Sequence, residues 1–306
     1  MPSKAPPPAA ADEEELRLSD LEHICHLGAG ACGVVTKVRH RRTGAVFALK
    51  TANYPRRCCA GSSPHVVLCH AVLSDPAAED DVIAYVLELM DAGTLASVLA
   101  RRGGRGLPET ALAEVAAGCL AGLDHLHSRG VAHLDLNPDN VLVSSRGDVK
   151  IGDFSESRIF RDGSGEGVRV SIAVAATAYK SPERFVPNAR AGPCGTAAVD
   201  VWGLGITVLE LFLGRRPFFP SLKWPPYEQL RRAICDEEPP AVPEFVAACL
   251  QKDPRRRATV PQLLAHPFVA RRHVQESRRS LREVIVQSME KRRSRTFSDA
   301  TVPSDS

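Results

Sequence analysis

The chain has 306 residues, of which 44% are hydrophobic and 25% are charged. This length and composition are typical of a globular protein with one large domain or two smaller lobes. The formal net charge of +3 at pH 7 is too small to argue for nucleic-acid binding.

The apolar segments and cysteines argue against export and against a membrane span. The N-terminus lacks the apolar core of a signal peptide, and the longest apolar run is interrupted by Asp200 and Glu210. The chain has 9 cysteines without a CxxC pair, which favours reduced thiols over a zinc site. We therefore expect a protein of the cytoplasm or nucleus.

The composition and hydrophobic pattern of the chain change along its length. Residues 1–18 are rich in Pro and Ala and then acidic, which is typical of a disordered tail. From residue 19 to about 90, short β-branched segments alternate with turns and predict a small β-rich lobe. From about 91 to 270 the pattern predicts a larger helical lobe. Residues 271–306 form a basic, Ser/Thr-rich tail whose first half fits either an amphipathic helix or disorder.

Two long helices are predicted in the second lobe. The stretch "PETALAEVAAGCLAGLDHLHSRG" opens with Pro108 and closes on Gly130, as helices do. The stretch "AVDVWGLGITVLELFLG" reads as a buried helix that ends at Gly214.

The stretch "LGAGACGVV" has glycine at positions 28, 30 and 33 in a G-x-G-x-x-G-x-V pattern. Because a strand follows rather than a helix, the pattern favours a strand–turn–strand flap over phosphates and not a dinucleotide-binding turn. Lys50 ends the next predicted strand, where its ammonium can reach phosphate oxygens. For this stretch alone, a hairpin with incidental glycines is the alternative.

Three polar residues follow in the order that phosphoryl transfer needs. In "HLDLNPDN" and "DFS", Asp135 suits the carboxylate that orients and deprotonates an acceptor hydroxyl. Asn140 and Asp153 suit the ligands that hold Mg²⁺ against nucleotide phosphates. A lone Asp on a polar loop is more often a turn residue. Three such residues downstream of a glycine flap and a strand lysine indicate phosphoryl transfer.

With these motifs, residues 20–270 resemble the eukaryotic protein kinase family. The resemblance implies an α+β, bilobal protein kinase fold that uses ATP and Mg²⁺. It also implies structural roles for "YKSPER", "DVWGLG" and "KDPRRRAT": Glu183 would pair with Arg257, and Asp200 would cap the catalytic loop.

The resemblance further implies how this chain would hold ATP. The expected ATP-binding residues are those of the flap, Lys50, the residues on either side of the adenine ring, and the hinge residues Glu88 and Met90. They are Leu27, Gly28, Ala29, Gly30, Ala31, Cys32, Gly33, Val35, Ala48, Lys50, Glu88, Met90 and Leu142. Catalytic roles fall to Asp135, Lys50 and Asn137, and metal binding to Asn140 and Asp153.

Shorter stretches narrow the resemblance. "LELMDAGTL", "TAYKSPERF" and "LLAHPFV" are similar to mitogen-activated protein (MAP) kinase kinases, and "SPHVVLCHAV" is similar to their short plant members. This implies a dual-specificity enzyme that phosphorylates Thr and Tyr in the activation loop of a downstream MAP kinase. An upstream MAP kinase kinase kinase would act on it.

Four departures from the family pattern bear on activity. Leu134 stands where an Arg usually pairs with a phosphorylated loop, and Asn137 stands where a Lys usually brings positive charge. Ser155 replaces the glycine of the metal motif, with less backbone freedom. Between Lys50 and the strand near His65, no acidic residue is present where a helix normally supplies a glutamate partner. Either that helix is absent, another acidic residue substitutes, or the gene model is imperfect.

The sequence signals for phosphorylation sites and partner docking are weaker than those for the catalytic motifs. The Gly-Thr pair expected before "SPER" is replaced by Ala175 and Ala176, and Ser164 and Ser171 are candidate phosphosites, with ordinary loop serines as the alternative. The acidic "DEEE" before "LRL" has the wrong sign for a docking motif. Ser298, downstream of arginines, is a hypothetical regulatory site, against the alternative of a merely soluble tail.

Two functions remain in competition. The first is an active protein kinase that transfers phosphate slowly, since losing one electrostatic donor typically costs about 100- to 1000-fold in rate. The second is a pseudokinase scaffold that binds nucleotide and cascade partners. A small-molecule kinase of the same fold is disfavoured by "SPER", "DVWGLG" and the Arg257 motif.

Overall fold

The computed structural model describes residues 16–30, 33–52, 62–74, 83–160, 178–185, 193–220, 226–237 and 242–299. The chain divides into two compact units. The first comprises Met1–Pro55 and Cys69–Leu89, and the second comprises Arg56–Leu68 and Met90–Ser306.

The first unit is a five-stranded antiparallel sheet. Its strands are β1 Leu21–Gly30, β2 Gly33–His40, β3 Val46–Ala52, β4 Cys69–Ser74 and β5 Ile83–Glu88, in the order β1-β2-β3-β5-β4. The strands follow the β-branched segments of the sequence, as such side chains pack well on a pleated surface. Leu21, Val38 and Val86 form its small buried core.

The second unit is mainly helical. Its helices are α1 Leu95–Arg101, α2 Glu109–Ser128, α3 Pro193–Leu213, α4 Tyr227–Cys235, α5 Glu244–Cys249, α6 Val260–Leu264, α7 Pro267–Ala270 and α8 Val274–Asp299. Its short strands are β6 Gly93–Thr94, β7 Val131–Ala132, β8 Val141–Val143, β9 Val149–Ile151 and β10 Arg158–Ile159. A β-rich unit and a helical unit confirm the predicted α+β bilobal class.

Helix α2 runs through the core of the second unit. It begins after Pro108, as predicted, and the chain turns at Gly130 with a φ of 72°. Two of its glycines allow close approach: a Cβ at Gly118 would lie 2.8 Å from Val149 Cβ, and one at Gly122 would lie 2.7 Å from the His65 carbonyl oxygen. The close packing of β9 on α2 therefore requires glycine at both positions.

Helix α3 is buried despite its two acidic residues. The window Thr196–Leu213 has a mean hydropathy of 1.6, enough by length and composition for a membrane span, but 78% of it is buried inside the protein. It packs against α2 and α5. We interpret it as the core helix of a compact unit, because soluble core helices have the same composition.

The first half of the C-terminal tail, for which the sequence fitted either a helix or disorder, lies in helix α8. Leu281, Val284 and Ile285 are buried in the main core of the second unit. Glu114 of α2 accepts hydrogen bonds from Arg272 at 3.1 Å and Arg278 at 3.0 Å. The second compact unit therefore extends past residue 270, because α8 packs along α2.

Several predictions fall outside the described residues. They concern the N-terminal tail up to residue 15, Ala31 and Cys32 of the flap, the segment 53–61, the loop residues Ser164, Ser171, Ala175 and Ala176, and the last residues 300–306. The side chain of Ser298 lies outside them as well.

Candidate active site

The loop between β7 and β8 is held by one buried carboxylate from α3. Asp200 Oδ1 accepts the Leu134 N–H at 2.6 Å, and Oδ2 accepts the His133 N–H at 2.9 Å. His127 Nε2 lies 2.8 Å from the same Oδ2. Burial raises the pKa of Asp200, but the hydrogen bond and charge of His127, with His133, outweigh it and leave the pKa below its ordinary value.

This anchoring depends on the backbone of Leu134, which has a φ of 64°. A left-handed conformation is unfavourable for a leucine, so the two hydrogen bonds from His133 and Leu134 to Asp200 compensate for it. A Cβ at Gly203 of α3 would lie only 2.8 Å from the Leu136 carbonyl oxygen. The absence of a side chain there lets α3 lie directly under the loop.

His133 links the loop to the segment that carries Asp153. Its Nδ1 accepts the Asp135 N–H at 3.3 Å, and its Nε2 lies 2.9 Å from the Gly152 carbonyl oxygen. Because Nδ1 accepts, Nε2 carries the proton and donates to Gly152. The ring also packs edge-on against Phe154, with centroids 5.3 Å apart.

Asp135 and Asn140 are joined directly. Asn140 Nδ2 donates to the Asp135 carbonyl oxygen at 2.7 Å and to Asp135 Oδ2 at 3.0 Å. Burial raises the pKa of Asp135; His133, Lys180 and the bond from Asn140 lower it, and the charge of Asp153 raises it. The net effect is a raised pKa, so the carboxylate is a stronger base than an exposed aspartate.

Asp153 is brought beside Asn140 by the hydrogen bond from Gly152 N–H to the Asn140 carbonyl oxygen at 2.9 Å. Its own backbone is left-handed, with a φ of 57°, and its Oδ1 accepts the Ser155 N–H at 3.2 Å. Ser155 is not among the described non-glycine residues with positive φ. In this conformation position 155 therefore does not use the backbone freedom that glycine would offer, and serine is accommodated there.

The donor set near Asp153 fits a nucleotide-bound magnesium ion. Mg²⁺ is usually held by one or two carboxylates together with substrate phosphates and waters, and Asp153 with the Asn140 amide oxygen supplies such a set. In the part of the chain that the structure describes, no cluster of three or more His, Cys, Asp or Glu residues offers a complete protein cage.

Asn137 lies within the loop rather than facing outward. It is 6% exposed. Its Nδ2 donates to the Asp135 carbonyl oxygen at 3.0 Å, and its Oδ1 accepts the Asp139 N–H at 2.9 Å. The amide thereby stabilises the turn after Asp135, a use that the sequence did not indicate.

Leu134 is buried among apolar side chains. It is 4% exposed and packs with Ala132 and Val199, against which Phe160 also lies. The environment at this position is therefore apolar, and it does not offer a binding site for a phosphate group.

Lys180 and Arg184 also interact with the catalytic loop, and the sequence pattern indicated no role for either. Arg184 Nη1 donates to the Leu134 carbonyl oxygen. Lys180 is 6% exposed. Burial and Arg184 lower the pKa of Lys180, while Asp135 and Glu156 raise it. The only sequence signal was a pair of cations in "YKSPER", in a chain whose catalytic loop lacks its usual lysine.

The family model described as "Protein kinase domain" matches residues 21–269. This chain belongs to the protein kinase family.

Within that family, this kinase is similar to plant MAP kinase kinases. It is 38% identical to mitogen-activated protein kinase kinase 9 of Arabidopsis thaliana over 275 residues, which cover 82% of this chain and 84% of the relative. It is 35% identical to mitogen-activated protein kinase kinase 7 of the same plant over 272 residues, covering 82% and 85%. Mitogen-activated protein kinase kinase SIPKK of Nicotiana tabacum is 32% identical over 292 residues, covering 87% and 78%. The chain is thus a MAP kinase kinase-like protein kinase, as the sequence predicted.

Arg257 connects the "SPER" segment of the kinase to helix α3. Its Nη1 and Nη2 donate to Glu183 Oε1 and Oε2 at 2.7 and 3.0 Å. Its Nη1 also donates to the Ala198 carbonyl oxygen at 2.8 Å, and the guanidinium lies 5.2 Å from the Trp202 ring centroid. This bidentate pair joins the "SPER" segment to α3 and to the loop before α6.

The glycine flap of the kinase belongs to the first unit. Strands β1 and β2 pair across it, with Gly30 opposite Gly33. Gly33 has a φ of 122°, and a Cβ there would lie 1.9 Å from the Thr51 carbonyl oxygen, so a side chain cannot fit. A Cβ on Gly28 or Gly30 would meet nothing within 4 Å. These two glycines leave their backbone accessible to a ligand.

The remaining predicted ATP-binding residues occupy defined strand positions. In the first unit, Lys50 lies on β3 opposite Val35 of β2 and Tyr85 of β5. Ala48 lies on the same strand, opposite Leu87. The others are distributed over both units, with Leu27, Ala29 and Glu88 in the first and Met90 and Leu142 in the second.

Proposed function

We propose that this protein is an active MAP kinase kinase-like enzyme that transfers the γ-phosphoryl group of ATP to Ser or Thr, and to Tyr, in the activation loop of a MAP kinase. The observation that carries this proposal is the network joining Asp135, Asn140 and Asp153 through His133 and Gly152. A scaffold that only binds nucleotide would use Asn140 and Asp153 but would not need the Asp135 carboxylate held in the same network.

Asp135 is the acceptor-side residue of this proposal. Its carboxylate orients the acceptor hydroxyl and receives its proton, and its raised pKa favours that transfer. Asn140 keeps the carboxylate in place through the 3.0 Å hydrogen bond. Asn140 Oδ1 and Asp153 would hold Mg²⁺, which when bound neutralises charge on the phosphates.

In the first unit, we assign phosphate binding to the flap and Lys50. The accessible backbone at Gly28 and Gly30 suits close approach of phosphate oxygens. The ammonium of Lys50 would contact the phosphates, as in other protein kinases. The protein kinase family generally uses ATP and Mg²⁺, which supports the same pair of ligands here.

The proposed partners and location follow from the relatives' names and from the composition. We assign a MAP kinase as substrate and a MAP kinase kinase kinase as upstream activator, in the cytoplasm or nucleus. Because Leu134 lies in an apolar cluster, activation would not proceed through an arginine–phosphate pair at that position.

A nucleotide-binding scaffold is the second candidate, and Asn137 favours it. This side chain brings no charge, and both ends of its amide are used inside the loop. If no other cation served the transferring group, transfer would be slow enough to make binding the main activity.

One experiment separates these candidates. Thermal shift with Mg²⁺ and ATP is measured beside phosphorylation of a catalytically dead MAP kinase, with Asp135→Asn as the matched variant. An amide at position 135 still accepts the hydrogen bond from Asn140 but cannot take a proton. Ligand at about 100 times its Kd should stabilise both proteins by about 2.7 kcal/mol, while only the wild type transfers phosphate. Binding with wild-type transfer equal to that of the variant would support the scaffold; no binding and no transfer would exclude both.

A further inference from the structure

The catalytic loop lacks a cation at the position where the family places its lysine. Asn137 is neutral and 6% exposed. Its amide nitrogen donates to the Asp135 carbonyl oxygen, and its amide oxygen accepts the Asp139 N–H. Transfer of a phosphoryl group develops negative charge next to the acceptor oxygen, and a nearby cation stabilises that charge. The loop itself therefore leaves the phosphoryl side of Asp135 without positive charge.

A different cation approaches Asp135 from another segment. Lys180 is 6% exposed, and its ammonium interacts electrostatically with the carboxylates of Asp135 and Glu156 and with Arg184. Lysine is almost never buried to this extent without a partner, because its charge is costly to remove from water. The charge of this buried lysine therefore has its partners in the carboxylates of Asp135 and Glu156.

The segment around Lys180 is fixed to the catalytic loop. Arg184 Nη1 donates to the carbonyl oxygen of Leu134, the residue before Asp135. Arg184 N–H donates to the Ser181 carbonyl oxygen at 2.9 Å. The ion pair of Glu183 with Arg257, at 2.7 Å, secures the far side of the segment. Lys180 therefore extends from a segment that is bonded to the catalytic loop through Arg184, and its flexible stem allows the ammonium to turn toward an incoming phosphoryl group.

We propose that Lys180 is a catalytic residue that supplies, from the segment before "SPER", the positive charge missing at position 137. The inference rests on the proposed kinase activity. The acceptor hydroxyl that Asp135 orients must lie within bonding reach of the phosphorus atom, so a cation next to Asp135 is also near the transferring oxygens. The ammonium interacts with those oxygens as the acceptor oxygen forms its bond to phosphorus and ADP leaves.

The competing explanation is that Lys180 only neutralises the buried carboxylates of Asp135 and Glu156. In that case its loss would lower stability and nucleotide binding together with the rate. A transition-state role predicts a fall in kcat at unchanged KM for ATP and unchanged Tm, because the charge is required only as transfer occurs.

The test compares Lys180→Met, Lys180→Arg, Asn137→Lys and the double variant Asn137→Lys/Lys180→Met in the full chain. Lys252→Met is the control, since Lys252 bonds the Glu237 carbonyl oxygen away from the loop. We expect Lys180→Met to lower kcat by about 100- to 1000-fold, with Lys180→Arg intermediate. The double variant should recover about 10-fold or more of that loss, because its new lysine restores charge at the family position.

Three outcomes would overturn the inference. The first is a kcat of Lys180→Met equal to that of the control. The second is a lower rate that comes with a lower Tm and is not recovered in the double variant. The third does not require Lys180→Met to fold: Asn137→Lys alone raising kcat by about 100-fold would mean that the cation is missing in the wild type. Wild-type transfer no greater than that of Asp135→Asn would instead reject the proposed activity itself.

Discussion

At the scale of single residues, Asp200 shows how one carboxylate shapes the catalytic loop. Its two oxygens accept hydrogen bonds from His133, Leu134 and His127 at 2.6 to 2.9 Å. The acceptors lie on a side chain that is fully buried, so no water can substitute for them. The left-handed backbone at Leu134 therefore depends on the ionised state of this residue.

Replacing Asp200 by Asn should lower the free energy of unfolding by about 1–3 kcal/mol, because the amide NH₂ would face a backbone donor. The pKa of Asp200 lies below its ordinary value of 3.8. Its contribution to stability is thus present above that value and is lost as the pH falls through the native pKa. Urea unfolding of both proteins at several pH values checks this. A difference between them that is unchanged down to about pH 3 would contradict the assignment.

At the scale of elements, the pair of Arg257 and Glu183 connects segments that are distant in sequence. Arg257→Met should lower the free energy of unfolding by about 3–5 kcal/mol, since Glu183 would remain as a largely buried charge without its partner. Arg255→Met is the matched control, because Arg255 pairs with Asp253 at 3.1 Å at the surface, where an ion pair contributes little. Chemical unfolding of the two variants measures the contrast, and equal midpoints would show that the buried pair is not a stabilising link.

Helix α8 offers a second element-scale prediction. Ile285 is fully buried against the core of the second unit, whereas the next residue, Val286, is 37% exposed. Ile285→Ala should lower the free energy of unfolding by about 2–5 kcal/mol, and Val286→Ala should change it by about 0.5 kcal/mol or less. Similar values for both, measured by thermal unfolding, would mean that α8 is not packed on α2 in solution.

At the scale of the whole molecule, cysteines report on cooperative unfolding. Cys119 on α2 and Cys249 at the end of α5 are buried in one core, and burial raises the pKa of each thiol to about 12. Only the thiolate reacts with alkylating agents. Both thiols should therefore be unreactive in the native state.

We expect Cys119 and Cys249 to be alkylated at the same rate across a denaturant series, because both become exposed only when the second unit unfolds. Cys25 of the first unit is exposed and should react at once. Mass spectrometry of iodoacetamide-treated protein measures all three rates. Unequal rates for the two buried cysteines would show that the second unit unfolds in separate parts.

The sequence by itself determined the fold class and the family, because both depend on local patterns. Alternating apolar residues predicted the strands, Pro108 and Gly130 correctly marked the ends of α2, and the spacing of glycines, lysine and acidic residues indicated a protein kinase. The glycine at position 33 was required for a local reason, since a side chain would collide with Thr51. Such signals lie within one element or its immediate neighbours and can be read along the chain.

Only the tertiary structure decided how the departures from the family pattern are accommodated. Ser155 occupies an ordinary backbone conformation, Asn137 turns inward, and Leu134 lies in an apolar cluster. Lys180 interacts electrostatically with Asp135 although the two are far apart in sequence. The docking of α8 likewise depends on the surface of α2. Contacts between distant segments arise from packing, and a local pattern carries no record of the partner that a side chain will meet.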